Sequence, residues 1–563
     1  MIFYLPRSGK TGDEYMAAEE RRAIPVLILK EGTRRAYGSE ALRNNILAAT
    51  TLARMMKTSL GPRGLDKMLV DQFGDVVITN DGATILDEID IVHPAAKFLS
   101  KLSKTQDIEV GDGTTTVVVL AGELLSKAEE LLNNNIHPTK IIDGFLQAYE
   151  YASKMLDNIS IKIDPNNREE VLKVAKTTVT SKSIAAYADH FGNIAYDAIR
   201  TIMYEENGKK KIPIDEIKIE KKEGGSLTDT ELIYGIVLDK EIVHHRMPRR
   251  VKDAKIALIA YPLELEKSEF ADVHILAAKQ SIDALLHWEK EKLHEMAKKI
   301  IDTGANVVIC QKGIDDIVQH YLAKHGILAV RRVKKSDIEK IAKATGARII
   351  QNEDFLSKDA LGYAEIVEEK KVGDETMIFI RGAKNPRSVS ILIRGGSKLI
   401  VEEAERNLKD MLYSIRNVML DPRIVPAGGA PEMALAVKLR EYAEQELTGR
   451  RRLVVKAFAD ALEIIPSTLI ETAGLDPIED LNKLRTYHAQ GKHTYGIDVI
   501  NGRIADMAEL GYFDPLIVKK NALASAVEAA VMLLRIDDII AAKEAFELKS
   551  ESESEVEEKE EEF

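Results

Sequence analysis

The sequence predicts a multidomain protein in which a mainly α-helical domain is built from both ends of the chain around an α/β middle. Apolar residues recur at threes and fours over 39–157 and again from about 400 to 548, which is the spacing of one helix face. Between these stretches, short apolar runs alternate with helical patterns, as in βαβα units. A chain of 563 residues has room for about three or four domains.

The first helical region is predicted to contain five helices and one strand. Its first helix takes Ser39 as N-cap and stops at Gly61-Pro62. A strand over 75–79 leads through the turn Asn80-Asp81-Gly82 into a helix that begins at Ala83. The remaining helices are expected at about 94–107, 114–134 and 139–157.

The middle of the chain is predicted to contain a parallel sheet. Strands are expected at 256–260, 306–309, 327–330 and 347–350, with helices at 315–324 and 336–345. Alternation of this kind places the strands parallel to one another. A highly polar helix over about 281–303 interrupts the pattern.

Composition excludes several classes of protein. The chain has 79 Lys and Arg against 91 Asp and Glu, a net charge of −12, and much of this excess lies in an acidic tail from about residue 549. An acidic body without a basic stripe argues against nucleic acid as the ligand. The single cysteine, Cys310, excludes a disulfide framework. No apolar stretch approaches the roughly 20 residues of a membrane span, so we expect a cytoplasmic protein.

Three glycine-rich turns carry the strongest chemical signal. They lie at 60–64, 79–84 and 111–116, and the last two contain Asp-Gly-x-Thr directly before a helical run. Glycine lets the backbone approach a ligand closely, and the free amides at a helix start favour phosphate. A carboxylate beside phosphate needs a bridging cation, so Asp81 and Asp112 indicate Mg²⁺.

Two interpretations of these aspartates remain open at this stage. Each could simply cap its helix, a common role of Asp, or each could belong to a metal–phosphate site. Asp410 gives no such signal by itself, because it falls among the charged residues of a helix near 401–418. Taken alone, it is expected on a solvated face.

Five ordered motifs resemble those of group II chaperonins, and the archaeal thermosomes in particular. Three lie in the first part of the chain: TSLGPRGLDKM at 58–68, ITNDGATIL at 78–86 and GDGTTT at 111–116. Two lie in the middle: VVICQKGIDD at 307–316 and AVRRVKKSD at 329–337. Their order and spacing match over about residues 23–542.

The resemblance implies a subunit of a double-ring ATPase that encloses unfolded proteins. It implies a mainly α equatorial domain at 1–166 and 423–563, and an α+β intermediate hinge domain at 167–234 and 389–422. An α/β apical domain would occupy 235–388, with the polar helix near 281–303 as a helical protrusion that forms a built-in lid. The implied partners are unfolded clients and like subunits of a homo- or hetero-oligomeric ring, without nucleic acid or membrane.

The resemblance also implies ATP and Mg²⁺ as cofactors and assigns site residues. Asp112 would hold Mg²⁺, Asp81 would lie near the γ-phosphate, Lys182 would sense that phosphate, and Asp410, in ERNLKD at 405–410, would orient the attacking water. Asp81 and Asp410 are thus the expected catalytic residues. Asp498 and Asp514 would sit by the ribose and base. The remaining residues are expected to line the nucleotide: Leu60, Gly61, Pro62, Gly82, Gly113, Thr114, Thr115, Thr116, Ser181, Gly428 and Gly429.

One departure from the family pattern motivates an alternative. Where the family shows three glycines near the ribose, this chain has Ala427-Gly428-Gly429. If that position needs a positive φ or touches the nucleotide, the methyl group would reduce affinity or turnover. The alternative functions are a weakly hydrolysing regulatory subunit of a mixed ring and a Mg²⁺-dependent phosphotransferase.

The only tryptophan, Trp288, lies in the polar helix. Its neighbours Glu289, Lys290, Glu291 and Lys292 are all charged, which favours an exposed position over a core position. An exposed aromatic side chain on a lid could bind unfolded chains.

Overall fold

The computed structural model describes residues 34–70, 74, 76–180, 184–265, 279–384 and 388–541. Ser181, Lys182 and the acidic tail lie outside these residues. Within them, no helix combines the length and the hydropathy that crossing a bilayer requires.

The first part of the chain is mainly helical, as its periodicity predicts. Its elements are β1 (Arg34–Tyr37), α1 (Ser39–Lys57), β2 (Lys67–Val70), β3 (Val76–Thr79), α2 (Gly82–Glu88), α3 (Pro94–Val110), α4 (Thr114–Asn133), α5 (Pro138–Ile159) and β4 (Ile161–Lys162). The predicted cap of α1 is wrong by one residue: Gly38, at φ 62°, is the N-cap and Ser39 is the first helical residue.

A segment of mixed structure follows. Its elements are α6 (Arg168–Val179), α7 (Ala188–Ile202), β5 (Tyr204–Glu206), β6 (Lys209–Lys211), β7 (Lys218–Glu223) and β8 (Glu231–Leu238).

The centre of the chain contains the expected alternation of strands and helices. Its elements are β9 (Arg250–Ile259), α8 (Lys279–Asp302), β10 (Val307–Cys310), α9 (Asp316–Lys324), β11 (Leu328–Val330), α10 (Lys335–Thr345), β12 (Ile349–Ile350), β13 (Gly362–Val372) and β14 (Glu375–Ala383). The predicted strands, the two helices between them and the long polar helix are confirmed within a few residues.

The last part of the chain is helical, with short strands between the helices. Its elements are β15 (Val389–Gly395), α11 (Lys398–Leu420), β16 (Arg423–Pro426), α12 (Ala430–Glu446), α13 (Gly449–Leu462), α14 (Ile464–Ala473), α15 (Pro477–Ala489), β17 (Tyr495–Asp498), β18 (Arg503–Asp506), α16 (Met507–Leu510), β19 (Phe513–Pro515), α17 (Leu516–Leu534) and β20 (Asp538–Ala541). The expectation of helix up to residue 548 is therefore wrong for β16–β20, because strands of three or four residues are too short to show a period of their own.

One mixed sheet of nine strands dominates the centre of the described chain. The predicted parallel pairing is confirmed: β10 lies between β9 and β11, with Val308 opposite Ala257 and Ala329. Beyond β9 the sheet continues antiparallel through β13, β14 and β8 to β15, and β7 then pairs parallel to β15. The sequence patterns do not indicate this extension.

Buried apolar residues form distinct cores. The terminal core combines residues of 42–156 with residues of 425–534. The linking core combines 171–217 with 389–424. Two central cores lie within 236–380 and 247–329. Both ends of the chain thus bury their apolar faces against each other.

The chain ends are also joined by backbone hydrogen bonds. Strands β1 and β20 pair antiparallel, from Arg34 opposite Ala541 to Tyr37 opposite Asp538. Helix α4 packs against α1 from the first part and against α17 from the last part. The terminal core therefore needs both segments before it is complete.

Candidate functional site

A cavity lies in the part of the structure formed by the two chain ends. Fourteen of the residues expected around a nucleotide line it. They are Leu60, Gly61, Pro62, Asp81, Gly82, Asp112, Gly113, Thr114, Thr115, Thr116, Gly428, Gly429, Asp498 and Asp514. The fold thus brings three turns from the first part of the chain to the same place as segments near its end.

The start of α4 forms one side of the cavity. Gly113 is the N-cap in the left-handed conformation, at φ 80°, and makes no side-chain cap bond. The amide groups of the first turn therefore remain available to an anion, in the positive end of the helix dipole. Thr114 and Thr115, both buried, and Thr116 follow directly.

Asp112 precedes this helix and does not cap it. Its Oδ1 accepts a hydrogen bond from Gly113 N at 2.6 Å, while Gln106 Nε2 donates to its backbone oxygen at 2.9 Å. The capping interpretation is therefore wrong for Asp112, because Gly113 occupies the N-cap position. Gln106 itself is buried, and the sequence did not single it out.

Asp81 does cap its helix, α2. Its Oδ2 accepts hydrogen bonds from Thr84 N at 2.9 Å and from Thr84 Oγ1 at 2.7 Å. Asp81 also lines the cavity, so the capping interpretation and the site interpretation are both compatible with its position.

The turns of α2 and α4 lie directly against each other. A Cβ on Gly82 would lie 2.4 Å from Thr115 Oγ1 and 2.8 Å from Thr114 Oγ1, too close for any side chain. Only glycine allows this approach. The contact brings Asp81 and Asp112 to the same end of the cavity.

This end of the cavity suits Mg²⁺ bound together with phosphate. Among the described residues, no group of three His, Cys, Asp or Glu side chains is arranged as a metal cage. Mg²⁺ does not need such a cage, because it is usually held by one or two carboxylates together with substrate phosphates and water. Asp112, with Asp81 nearby, fits that donor set.

The turn Ala427-Gly428-Gly429 also lines the cavity. Gly428 and Gly429 have φ of 71° and 75°, whereas Ala427 is not among the residues with positive φ. A Cβ on Gly428 would lie 2.8 Å from the carbonyl oxygen of Ile497. The strain suspected at Ala427 is therefore absent, and its methyl group lines the cavity.

Asp498 uses its carboxylate within its own hairpin. The buried side chain accepts hydrogen bonds from Asn501 Nδ2 at 2.8 Å and from Arg503 Nε at 3.1 Å. Burial alone would raise the pKa of the Asp498 carboxyl, but the bonds from Asn501 and Arg503 lower it below its ordinary value. Asp498 therefore stays ionised and stabilises the loop between β17 and β18.

Asp514 forms an ion pair that the sequence did not indicate. Lys519 Nζ lies 3.1 Å from Asp514 Oδ2 and 3.0 Å from Glu432 Oε1. Burial alone would lower the pKa of Lys519, but the two carboxylates raise it above its ordinary value, so the ammonium is charged. The one feature of the sequence that could have indicated this ion pair is a lysine in the otherwise apolar start of α17.

Asp410 is not among the described residues that line the cavity. Its helix, α11, nevertheless contacts the segment directly before Asp112. Asn417 Nδ2 donates to Val110 O at 2.9 Å, and Arg416 donates to Glu109 O at 2.9 Å. Asp410 lies two turns before Asn417 on the same face, since seven residues complete two turns.

Helix α6, which contributes apolar residues to the linking core, also reaches the cavity. Thr177, Thr178 and Thr180, at the end of α6, line it, and none of them was predicted. Ser181 and Lys182 follow Thr180 but lie outside the described residues.

Comparison with known proteins agrees with this arrangement. The profile of the TCP-1/cpn60 chaperonin family matches residues 52–544. A thermosome subunit of Pyrococcus abyssi is 53% identical over 532 residues, covering 94% of this chain and 96% of the relative. Thermosome subunits of Methanopyrus kandleri and Sulfolobus acidocaldarius, the latter an alpha subunit, are each 54% identical, covering 92% of this chain and 95% of the relative. The chain therefore belongs to the TCP-1/cpn60 chaperonin family, among the archaeal group II chaperonins.

Proposed function

We propose that this protein is a subunit of a double-ring chaperonin that hydrolyses Mg-ATP to close a chamber around unfolded proteins. The observation that carries the proposal is the cavity itself. Its lining joins a helix start and two aspartates, suited to Mg²⁺ and phosphate, with a glycine turn and an ion-paired carboxylate. Family membership supplies the reaction and the class of client.

In this proposal the cores correspond to three domains. The terminal core belongs to an equatorial domain at 1–166 and 423–563, and the linking core to an intermediate domain at 167–234 and 389–422. The central cores belong to an apical domain at 235–388. Ile424 and Val425 belong to the linking and terminal cores respectively, which supports a boundary close to residue 423.

The phosphates are proposed to bind at the start of α4. The first-turn amides and the hydroxyls of Thr114, Thr115 and Thr116 would hold them, and Asp112 would hold Mg²⁺, which offsets their charge. Asp81 would orient the γ-phosphate end. Ser181 and Lys182 would contact the same end from the segment after α6.

Asp410 is proposed to orient the attacking water as a general base. Helix α11 contacts residues 109 and 110 through Arg416 and Asn417. The face of α11 that carries Asn417 therefore lies toward the segment that contains Asp112. Rotation of the linking core about these contacts would move Asp410 toward the γ-phosphate, so that hydrolysis follows domain closure.

Assembly is proposed to cover an exposed hairpin. Strands β2 and β3 form a two-stranded sheet of their own, and Met68 and Ile78 are 66% and 47% exposed. Strands β1 and β20 form a second two-stranded sheet. Open sheet edges and exposed apolar side chains both favour pairing with another chain, here a like subunit of the ring.

The alternative of a weakly hydrolysing regulatory subunit loses part of its basis. It rested on Ala427, whose backbone carries no positive φ. The phosphotransferase alternative is not supported by the family match. The cytoplasmic location remains a prediction from composition.

If the subunits form the proposed ring, the protein should be a large assembly that depends on the hairpin of β2 and β3. Replacing both Met68 and Ile78 by Asp should abolish the high-mass species in analytical ultracentrifugation, because two charges cannot be buried there. Phe355→Ser is the control, since Phe355 is 70% exposed but lies in the apical segment. A double variant that assembles like the wild type would contradict the proposed contact.

Asp112→Ala should abolish binding of Mg-ATP, because the metal loses an anionic ligand beside the phosphates. Isothermal titration calorimetry in the presence of Mg²⁺ measures this directly. Asp143→Ala, which removes an exposed carboxylate on α5, is the control. Unchanged affinity in Asp112→Ala would show that the metal is held elsewhere.

Asp410→Ala should retain Mg-ATP binding and lose hydrolysis by about 10²- to 10⁴-fold, as expected for loss of a general base. Steady-state phosphate release by the homogeneous assembly measures the rate. Glu402→Ala, which removes a partly exposed carboxylate on the same helix, should hydrolyse like the wild type. Loss of binding in Asp410→Ala would refute the assigned role, and a wild type without hydrolysis would favour the regulatory alternative.

Trp288 should report lid closure. It is 57% exposed and is the only tryptophan of the chain. Without nucleotide its emission should be red-shifted and accessible to a quencher. A transition-state mimic of ATP hydrolysis should shift the emission to the blue as neighbouring lids pack against it. Blue, unquenchable emission in both states would place Trp288 in a core instead.

A further inference from the structure

A buried lysine joins three elements at one wall of the cavity. Lys519 lies in the first turns of α17, Asp514 lies in β19 and Glu432 lies in the first turn of α12. Lys519 Nζ contacts Glu432 Oε1 at 3.0 Å and Asp514 Oδ2 at 3.1 Å. The exposed fractions of the Lys519, Glu432 and Asp514 side chains are 14%, 8% and 20%. These three residues are called the lysine triad below.

The lysine triad lies partly on the cavity surface and partly behind it. Asp514 and Lys519 line the cavity, whereas Glu432 does not. Glu432 follows the glycine turn of that wall by three residues, because Gly429 is the N-cap of α12. Glu432 therefore anchors Lys519 from behind, and Asp514 faces the ligand.

The two carboxylates need the lysine between them. Since one nitrogen contacts both, at 3.0 and 3.1 Å, their oxygens lie within about 6 Å of each other. Two carboxylates at such a distance repel each other in a largely buried site. The ammonium between them offsets this repulsion and fixes the side chain of Asp514 through Oδ2.

The geometry leaves Asp514 one oxygen for a ligand. Among the described residues, Lys519 is the side-chain partner of Asp514, and the contact is to Oδ2. An ionised carboxylate only accepts hydrogen bonds, so Oδ1 suits a ligand hydroxyl. The hydroxyls of a nucleotide are those of its ribose.

We propose that Lys519 is a positioning residue that holds Asp514 in the orientation that accepts a hydrogen bond from a ribose hydroxyl, with Glu432 as its second anchor. The inference rests on the proposed function, which places nucleotide in this cavity. It adds a consequence: the lysine triad sets the preference for ribonucleotides over deoxyribonucleotides.

The experiment compares affinities for ADP, 2′-deoxy-ADP and 3′-deoxy-ADP in Mg²⁺ by calorimetry on the assembled protein. Diphosphates avoid hydrolysis during the titration. The wild type should bind ADP about tenfold to a hundredfold tighter than at least one deoxy analogue, the usual range for a hydrogen bond to a charged group.

The decisive variant is the double substitution Lys519→Met with Glu432→Gln. Lys519→Met alone leaves two buried charges without a cation and can prevent folding. The double substitution removes one positive and one negative charge, so the net charge of the triad is unchanged. It should weaken ADP binding about tenfold and reduce the preference over the deoxy analogues to about twofold or less.

A turnover measurement separates positioning from general damage. The double variant should show a raised KM for ATP with a kcat close to that of the wild type, because the phosphates are proposed to bind the start of α4 and not the lysine triad. Lys520→Met is the matched control. Lys520 is the next residue on α17 but pairs with Asp157 at 2.9 Å, and this variant should keep the ribose preference.

The outcomes are distinguishable. A double variant that keeps the wild-type preference for ADP over its deoxy analogues overturns the inference. A wild type that binds ADP without any ribose preference also overturns it, while the proposed ATPase stands. A wild type that binds no nucleotide overturns the proposed function, and the inference falls with it.

Discussion

The burial of helix α4 is the constraint on which the proposed nucleotide cavity depends. Residues 117–121 of this helix are all buried, and α1 and α17 cover it from opposite ends of the sequence. A helix that is apolar on nearly every side is stable only inside a core. Its first turn must nevertheless reach the surface of that core. The start of α4 is therefore held in place by the core that buries the rest of the helix.

The part of the cavity lined by Asp498 and Asp514 is held by charge as well as by apolar packing. Lys519 connects β19, α12 and α17 through two carboxylates. Asp498 connects the two strands of its hairpin through Asn501 and Arg503. Buried ionic groups of this kind add less stability than their proximity suggests, but they orient the groups that they join. In the proposed function, the start of α4 supplies helix amides and Asp112 supplies a metal ligand, while these ionic contacts orient the side chains that line the rest of the cavity.

The sequence predicts those features whose cause is local. The helices of the first part, the parallel strands around β10 and the glycine turns all carry their signal within about twenty residues. The sequence does not predict contacts between distant segments, such as the pairing of β15 with β7 and the contact of Lys519 with Glu432. The short strands β16–β20 were not predicted, because three or four residues are too few to show an alternation of apolar and polar residues. Asp112 was ambiguous until its neighbour Gly113 was seen to occupy the N-cap, and the concern over Ala427 required a backbone angle.

The shared core of the two chain ends imposes an order on biosynthesis. A ribosome releases α1–α5 first, but the apolar faces that later contact α17 stay uncovered until more than 350 further residues have been added. The central sheet, whose strands all lie within residues 218–395, can fold in the meantime. A newly made subunit of this protein therefore spends its synthesis as an incompletely folded chain with exposed apolar surface, the same kind of substrate that the finished assembly is proposed to enclose.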